Sequence, residues 1–204
     1  ADRLTGWWSY HGKEEVRGYR YRIIDSTDQI VVDWQETSQT MVNVSELELT
    51  TGESYRFEVK AVYSSGNMSN SSYSPGITVD DSPPEIISLT APDYTTSWDI
   101  HFDWEGTDNQ SDIYKVEAAL GSDYYQTDIT GGWVELSDNK LNCDIDGNRL
   151  NLTNGTRYYL TLRLVNGAGL TSEKTTTAIT IDDTPPPVPV VTDQGPYVNT
   201  KQPL

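Results

Sequence analysis

A repeated stretch of alternating residues constrains the fold of this chain more than any other feature. The first copy runs from Leu49 to Gly66 and the second from Leu152 to Gly169, an offset of 103 positions. Each copy is a turn followed by a segment in which every second residue is apolar, as in Tyr55-Arg56-Phe57-Glu58-Val59. That period of two is typical of a strand with one buried face. Two copies in a chain of 204 residues predict two β-domains of about 100 residues each.

The composition favours an all-β chain that needs no covalent or metal support. The 13 Tyr and 6 Trp, together with clusters of Gly and Pro, are typical of strands and turns. Cys143 is the only cysteine, so no intrachain disulfide is expected. Neither a signal peptide nor an apolar run of about 18 residues is present, and no membrane insertion is expected in this fragment.

The net charge of -17 is spread over both halves of the chain. A surface this acidic repels phosphate groups, which excludes nucleic acid and anionic membranes as partners. It is compatible with a solvated soluble surface or with one that attracts cations.

Two proline-rich segments divide the chain. The first is Asp80-Asp81-Ser82-Pro83-Pro84-Glu85, and it recurs 102 positions later as Asp182-Asp183-Thr184-Pro185-Pro186-Pro187. Paired prolines favour a stiff, extended connection. We therefore predict a first module at 1–82 that lacks its first strand, a complete second module at 83–187, and the start of a third, truncated module at 188–204.

The repeat resembles the fibronectin type III domain. The likeness rests on a tryptophan that ends the second strand, a tyrosine that opens the third, and a corner of the form Leu-x-x-Gly-x-x-Tyr. These positions are Trp8 and Trp104, Tyr19 and Tyr114, and the corner tyrosines Tyr55 and Tyr158. Alternation directs Tyr19 inward, and the matching strand of the second module is expected to direct Tyr114 and Val116 inward as well. The resemblance implies two tandem β-sandwiches in which each corner hydroxyl bonds to the backbone upstream. An immunoglobulin-like sandwich with a different strand order is the structural alternative.

The linkers and turns also resemble those of tandem repeats in large prokaryotic cell-surface proteins. The resemblance implies an extracellular, non-catalytic spacer that connects neighbouring modules, with adhesion to other surface proteins or glycans as a further role. A carbohydrate-binding accessory module of a secreted enzyme is the alternative. The chain is not expected to be an enzyme, because its two histidines, His11 and His101, lie in no recognisable catalytic motif.

Two tryptophans are candidates for contact with glycans. Trp7 points outward by strand alternation, and Trp133 lies in a strand whose facing the sequence leaves open. Aromatic rings on a strand stack on sugars or pack across neighbouring strands, and both interpretations remain open here.

A calcium site is predicted at the junction between the modules, and no other cofactor is expected. In a sandwich of this type the linker lies beside two loops of the following module. That arrangement brings Asp80 and Asp81 near Asp108 and Asp112, and Ca²⁺ prefers six to eight oxygen ligands. The alternative is a solvated acidic turn.

The pattern also predicts the core and one mode of self-association. Trp8, Tyr21, Tyr55 and Phe57 are expected to be buried together, and the second module is expected to bury Trp104, Val116, Tyr158 and Leu160. Because the first module lacks its opening strand, a sheet edge near Arg3 to Tyr10 is unprotected. The segment 188–192 carries the matching strand pattern, so we expect it to add to this edge in another molecule, head to tail.

Overall fold

The computed structural model describes residues 2–96, 99–137, 140–142, 144–145, 148–150, 152–193 and 195–196, and every regular element among them is a β-strand. The first module contains β1 (Leu4–Trp7), β2 (Val16–Asp25), β3 (Ile30–Thr37), β4 (Met41–Val44), β5 (Ser54–Tyr63), β6 (Ser72–Tyr73) and β7 (Ile77–Thr78). The second contains β8 (Glu85–Thr90), β9 (Tyr94–Thr95), β10 (Asp99–His101), β11 (Asp103–Thr107), β12 (Ile113–Gly121), β13 (Val134–Glu135), β14 (Lys140–Asn142), β15 (Asp144–Ile145), β16 (Asn148–Arg149), β17 (Arg157–Asn166), β18 (Thr171–Thr175) and β19 (Ile179–Ile181). The described residues include no helix that is long and apolar enough to cross a membrane.

The first module is a sandwich of two sheets. One sheet pairs β1 with β4, and the other has the order β3-β2-β5-β6, with β7 also on β5. Alternation along β2 and β5 directs Ile23, Tyr55 and Phe57 between the sheets, where they are buried with Leu4. The sheets approach closely at Gly6, where an added Cβ would lie 2.9 Å from the Phe57 ring.

The second module repeats this arrangement with its first strand present. One layer pairs β8 with β11 and β10 with β14. β10 and β11 are separated only by Phe102, so the chain changes its strand partner at this residue. The other layer has the order β13-β12-β17, with β18 and β19 on β17, and β9 runs parallel to β19. The chain is therefore all-β, with two tandem fibronectin type III-like sandwiches, as the sequence predicts.

Both corner tyrosines make the same hydrogen bond. The Tyr55 hydroxyl accepts from the Thr50 N–H at 2.9 Å, and the Tyr158 hydroxyl accepts from the Thr153 N–H at 2.8 Å. Each bond ties the start of a long central strand to the turn before it. The repeat seen in the sequence thus corresponds to a repeated structural contact.

The predicted facing of the core aromatics is largely correct. Trp8 is half-buried, and its ring centroid lies 6.0 Å from that of Tyr21, which in turn lies 6.3 Å from that of Phe57. Trp104 is also half-buried and packs against the core of the second module.

Tyr114 was expected to point inward with Val116 and is instead 78% exposed. The pairing of β12 with β17 shifts between Ile113 and Lys115, and this bulge turns Tyr114 outward while Ile113 packs against the core. A bulge inserts one residue and reverses the facing on one side of it, so simple alternation fails at this position.

Candidate functional site

The junction between the modules is built around the buried side chain of Asn166, the last residue of β17. Its Nδ2 donates to the Asp80 carboxylate at 2.7 Å, to the Ser82 carbonyl at 2.9 Å and to the Asp108 carboxylate at 3.0 Å. Asp80 and Ser82 belong to the linker, whereas Asp108 belongs to the loop after β11. One amide group therefore connects the linker to a loop of the second module.

The surrounding contacts fix the orientation of that amide. The Asn166 Oδ1 accepts from the Leu170 N–H at 2.8 Å, which directs the Nδ2 toward the two carboxylates. The Ser111 hydroxyl donates to the Asp80 carboxylate at 2.5 Å. Although burial by itself raises the pKa of Asp108, hydrogen bonds from Ser111 N, Asn166 Nδ2 and Gln110 N outweigh it and hold that pKa below its usual range.

The turn after Asn166 needs a glycine at the next position. A Cβ added to Gly167 would lie 2.5 Å from the Ser111 carbonyl oxygen, and the Gly167 N–H donates to the Asp112 carbonyl at 3.1 Å. The loops that carry Asn166 and Asp108 can therefore approach only because residue 167 has no side chain.

The linker is also bonded to the first module. The Thr51 hydroxyl donates to the Asp81 carboxylate, and the Asp81 N–H donates back to the Thr51 hydroxyl at 3.3 Å. The Gly52 N–H donates to the Val79 carbonyl at 2.8 Å. Asp80 and Asp81 thus bond to opposite neighbours, one to each module.

The far end of the second module carries the same outgoing contacts. Asn154 occupies the position in the second repeat that Thr51 occupies in the first. Its side chain donates to the Thr184 hydroxyl at 2.8 Å and accepts from the Asp183 N–H at 3.2 Å. Asp182 accepts from the Thr184 N–H at 3.1 Å, as Asp80 accepts from the Ser82 N–H at 2.9 Å. The second linker is therefore held by its module in the same way as the first.

The four aspartates of the calcium prediction do not converge on one point. Asp80 and Asp108 meet at Asn166, Asp81 bonds to Thr51, and Asp112 contributes its backbone carbonyl to Gly167. Within the described ranges no group of three or more His, Cys, Asp or Glu side chains is arranged to hold a metal ion. The calcium site stays a prediction. Where the carboxylates of Asp80 and Asp108 meet, the side-chain N–H₂ of Asn166 lies between them.

The first module has an open groove along its β1 edge. The groove has a volume of about 630 Å³ and lies between β1 and the segment 69–77. Its walls include Trp7, Trp8, Tyr10, Ser72 and Ser74, and none of its lining residues carries a charge. In the described part of the chain β1 pairs only with β4, so its outer edge has no strand against it.

The two glycan candidates differ in their surroundings. Trp7 is 77% exposed beside this groove. Trp133 is half-buried, and the guanidinium of Arg163 lies 3.8 Å from its ring centroid. One face of Trp133 is therefore covered by a cation, whereas Trp7 offers a broad exposed surface.

A cation–aromatic cluster on the outer sheet face of the first module was missed by the sequence analysis. Arg22, Lys60 and Arg20 lie 4.9, 5.1 and 5.5 Å from the ring centroid of Trp34. Glu58 beneath them is only 3% exposed and accepts from the Arg22 Nε at 2.6 Å. The alternating basic residues on β2 and β5 could have indicated this cluster. The same alternation, however, predicted that this face of the sheet is exposed to solvent.

No family model and no curated protein matches the chain. Among solved structures, fibronectin(III)-like modules of CbhA from Clostridium thermocellum share 12% identity, covering 89% of this chain and 86% of that chain, with a TM-score of 0.48. The FN1–FN3 domains of chicken CNTN1 share 12% identity over 89% of this chain and 63% of that chain, with a TM-score of 0.32. A two-domain fibronectin type III segment of chicken tenascin shares 16% identity, covering 85% of this chain and 91% of that chain, with a TM-score of 0.32.

Proposed function

We propose that the chain is a non-catalytic spacer of an extracellular, surface-associated prokaryotic protein, and that it sets the geometry between neighbouring modules. The observation that carries this proposal is the linker, which is hydrogen-bonded to the module on each side of it. Thr51 binds Asp81 from the first module, and Asn166 binds Asp80 from the second. A connection of this kind restrains the angle between modules, which a flexible tether does not.

The proposal is supported by the second linker as well. Asn154 holds Asp183 and Thr184 much as Thr51 holds Asp81. Because the contact recurs, each linker would leave its module in a defined direction. This is the property that a spacer needs in order to position successive modules. Adhesion would then be the task of neighbouring segments or of the exposed faces.

The distance distribution between the modules tests this function. Nitroxide labels would be attached through cysteines at the exposed positions Ser45 and Thr177, in a Cys143→Ser background, and measured by pulsed electron paramagnetic resonance. We expect a narrow distribution for the parent chain and a broader one for Asn166→Ala. Asn154→Ala is the matched control, because it removes the same kind of contact from a linker that does not join the two labelled modules. An equally broad distribution in all three proteins would contradict a positioning role.

Carbohydrate binding is the second candidate, and the exposure of Trp7 favours it. A glycan array probed with the chain tests it directly. We expect binding, if sugars are recognised, to be lost in Trp7→Ala and kept in Trp133→Ala, since Arg163 already covers the ring of Trp133. Absence of binding to every glycan would leave the spacer as the supported function.

A further inference from the structure

We propose that Asn166 is a deamidation site that the docked linker protects, and that its reaction after the linker separates makes the separation permanent. Asn166-Gly167 is one of two Asn-Gly pairs in the sequence, and the other is Asn154-Gly155. Each of these asparagines holds one of the two linkers. The inference adds a covalent reaction to the junction, so it goes beyond the spacer role, and it needs only the contacts around Asn166.

Asparagine followed by glycine deamidates without an enzyme. The backbone nitrogen of the glycine attacks the side-chain carbon Cγ of the asparagine, and a succinimide ring forms. The bond from Cγ to Nδ2 breaks, and Nδ2 leaves as ammonia with the proton that the glycine nitrogen gave up. Water then opens the ring at Cγ to give aspartate, or at the backbone carbonyl to give isoaspartate. Glycine favours this reaction because it has no side chain to obstruct the attack and restricts the backbone least.

The linker holds the side chain of Asn166 away from this reaction. Its Nδ2 donates to the Asp80 carboxylate at 2.7 Å, to the Ser82 carbonyl at 2.9 Å and to the Asp108 carboxylate at 3.0 Å. The residue is fully buried, and its Oδ1 accepts from the Leu170 N–H at 2.8 Å. Because two of these three acceptors belong to the linker, the amide is free to turn toward the next backbone nitrogen only after the linker has moved away.

The attacking nitrogen is also occupied in the docked structure. The Gly167 N–H donates to the Asp112 carbonyl at 3.1 Å, and closing the ring requires that this bond break. The Ser111 hydroxyl donates to the Asp80 carboxylate at 2.5 Å and accepts from the Ala168 N–H at 3.2 Å. The turn that carries the nucleophile is therefore connected to the linker through Ser111, so separation of the linker loosens both reacting groups.

The second Asn-Gly pair provides a comparison within the same molecule. Asn154 is exposed, whereas Asn166 is buried, and its Nδ2 donates to the Thr184 hydroxyl at 2.8 Å. The Gly155 N–H donates to the Ile181 carbonyl at 2.7 Å, so the nucleophile is held in both pairs. The two pairs differ mainly in how the side chain is held, and we expect Asn154 to react faster than Asn166.

The product of the reaction at position 166 cannot restore the junction. A neutral N–H donor is replaced by a carboxylate, so three carboxylates would meet where Asn166 now separates Asp80 from Asp108. Like charges at a buried site repel one another, and the hydrogen bonds from Nδ2 are lost. Isoaspartate also adds a methylene group to the backbone at the end of β17. The linker therefore stays separated once this residue has reacted.

Peptide mapping by mass spectrometry, after incubation of the full chain at mildly alkaline pH, tests the proposal. Trypsin releases the two asparagines in separate peptides, 150–157 and 164–174, so both reactions are followed in one sample. A synthetic peptide of residues 164–174 gives the rate without the fold. We expect Asn166 to react about tenfold or more slowly in the folded chain than in this peptide, because it reacts only during local opening. We expect the rate of Asn154 to lie between the two.

Asp80→Ala identifies the linker as the protecting element. We expect it to raise the rate at Asn166 about tenfold, the effect of losing a hydrogen bond to a charged group, and to leave the rate at Asn154 unchanged. Asp81→Ala is the matched control: it removes the neighbouring carboxylate of the same linker, which bonds to Thr51, and the rate at Asn166 should stay that of the parent. Circular dichroism would first confirm that each variant is folded.

The reacted chain gives a second, independent measurement. In an Asn154→Ala background the chain keeps a single Asn-Gly pair, and the reacted form carries an added negative charge by which ion exchange separates it. Spin labels at Ser45 and Thr177 then report the distance between the modules. We expect a broader distribution in the reacted chain than in the unreacted chain, matching that of Asn166→Asp. A distribution that is already broad before reaction would count against the spacer role, whereas the reaction rates decide the protection of Asn166 by themselves.

Three outcomes would overturn the proposal. Reaction of Asn166 at the same rate in the folded chain and in the peptide would show that docking does not protect it. Equal rates in the parent and in Asp80→Ala would show that the linker is not the protecting element. A reacted chain that keeps the narrow distribution of the unreacted chain would show that the linker docks again after the change.

Discussion

The side-chain amide of Asn166 donates to a carboxylate oxygen of Asp80, 86 positions earlier in the chain, at 2.7 Å. The same nitrogen contacts the Asp108 carboxylate at 3.0 Å, so one neutral group separates two acidic side chains. The amide therefore reduces the repulsion between the acidic linker and the acidic loop.

Replacing that amide by a carboxylate should destabilise the second module. In Asn166→Asp three carboxylates would share one buried site, and the hydrogen bonds to Asp80 and Asp108 would be lost. Hydrogen bonds to charged groups contribute about 1.5–3 kcal/mol each, so we expect a loss of at least that size at pH 7. Urea unfolding of the variant and its parent measures the difference. An unchanged midpoint would show that the amide carries little of the stability.

Calcium provides a companion measurement at the same site. Millimolar Ca²⁺ should raise the melting temperature of Asn166→Asp, because a divalent cation offsets repulsion among clustered carboxylates. The same measurement on the parent chain tests the calcium site predicted from the sequence. A heat of Ca²⁺ binding that a chelator abolishes would support this site. No heat of binding, together with an unchanged melting temperature, would contradict it.

The corner tyrosines should contribute similar stability to the two modules. Tyr55→Phe leaves the Thr50 N–H without its acceptor, and Tyr158→Phe does the same to the Thr153 N–H. We expect each change to cost about 0.5–1.5 kcal/mol. Chemical denaturation of the single and double variants checks this, and the double variant should show the sum, since the two sites share no contacts.

Phe57 should be among the residues most sensitive to truncation in the first module. Its buried ring packs between the sheets against Gly6 and Tyr21, so Phe57→Ala removes a large volume from the core. The expected loss is about 3–5 kcal/mol. Trp7→Ala is the control, because an exposed side chain should change the free energy of unfolding by about 0.5 kcal/mol or less.

The stability of the first module should fall in acid because of Glu58. Burial alone raises its pKa, but hydrogen bonds from Ser71 and Arg22 and the charge of Arg22 outweigh that effect and lower the pKa overall. A carboxyl whose folded pKa lies below its unfolded value stabilises the fold above the unfolded pKa, near 4.3, and loses that contribution as the pH falls through the folded pKa.

Glu58→Gln isolates this effect. We expect the parent to be more stable than the variant at pH 7, with the difference shrinking below about pH 4. Thermal unfolding of both proteins between pH 3 and pH 7 measures it. Parallel curves over that range would show that the Glu58 charge does not contribute.

Strand positions and the corner contacts could be predicted from the sequence because they depend on local alternation and on a motif of seven residues. Tyr114 was placed on the wrong face because a bulge depends on the partner strand, which alternation does not reveal. Glu58 was assigned to solvent because an alternating pattern carries no information about long side chains that fold over a sheet. Asp80 was predicted to lie near the loop of Asp108, and the two side chains meet at Asn166. The role of Asn166 follows from its burial, which the sequence does not show.

The parallel pairing of β9 with β19 has a mechanical consequence. The Thr180 N–H donates to the Asp93 carbonyl at 2.8 Å, and the Asp182 N–H donates to the Thr95 carbonyl at 3.0 Å. When tension is applied along the chain from the first linker to the second, these two segments are pulled in opposite directions along their length. Their hydrogen bonds are then loaded together in shear rather than broken one at a time, so this small pairing opposes extension of the second module more than its length suggests.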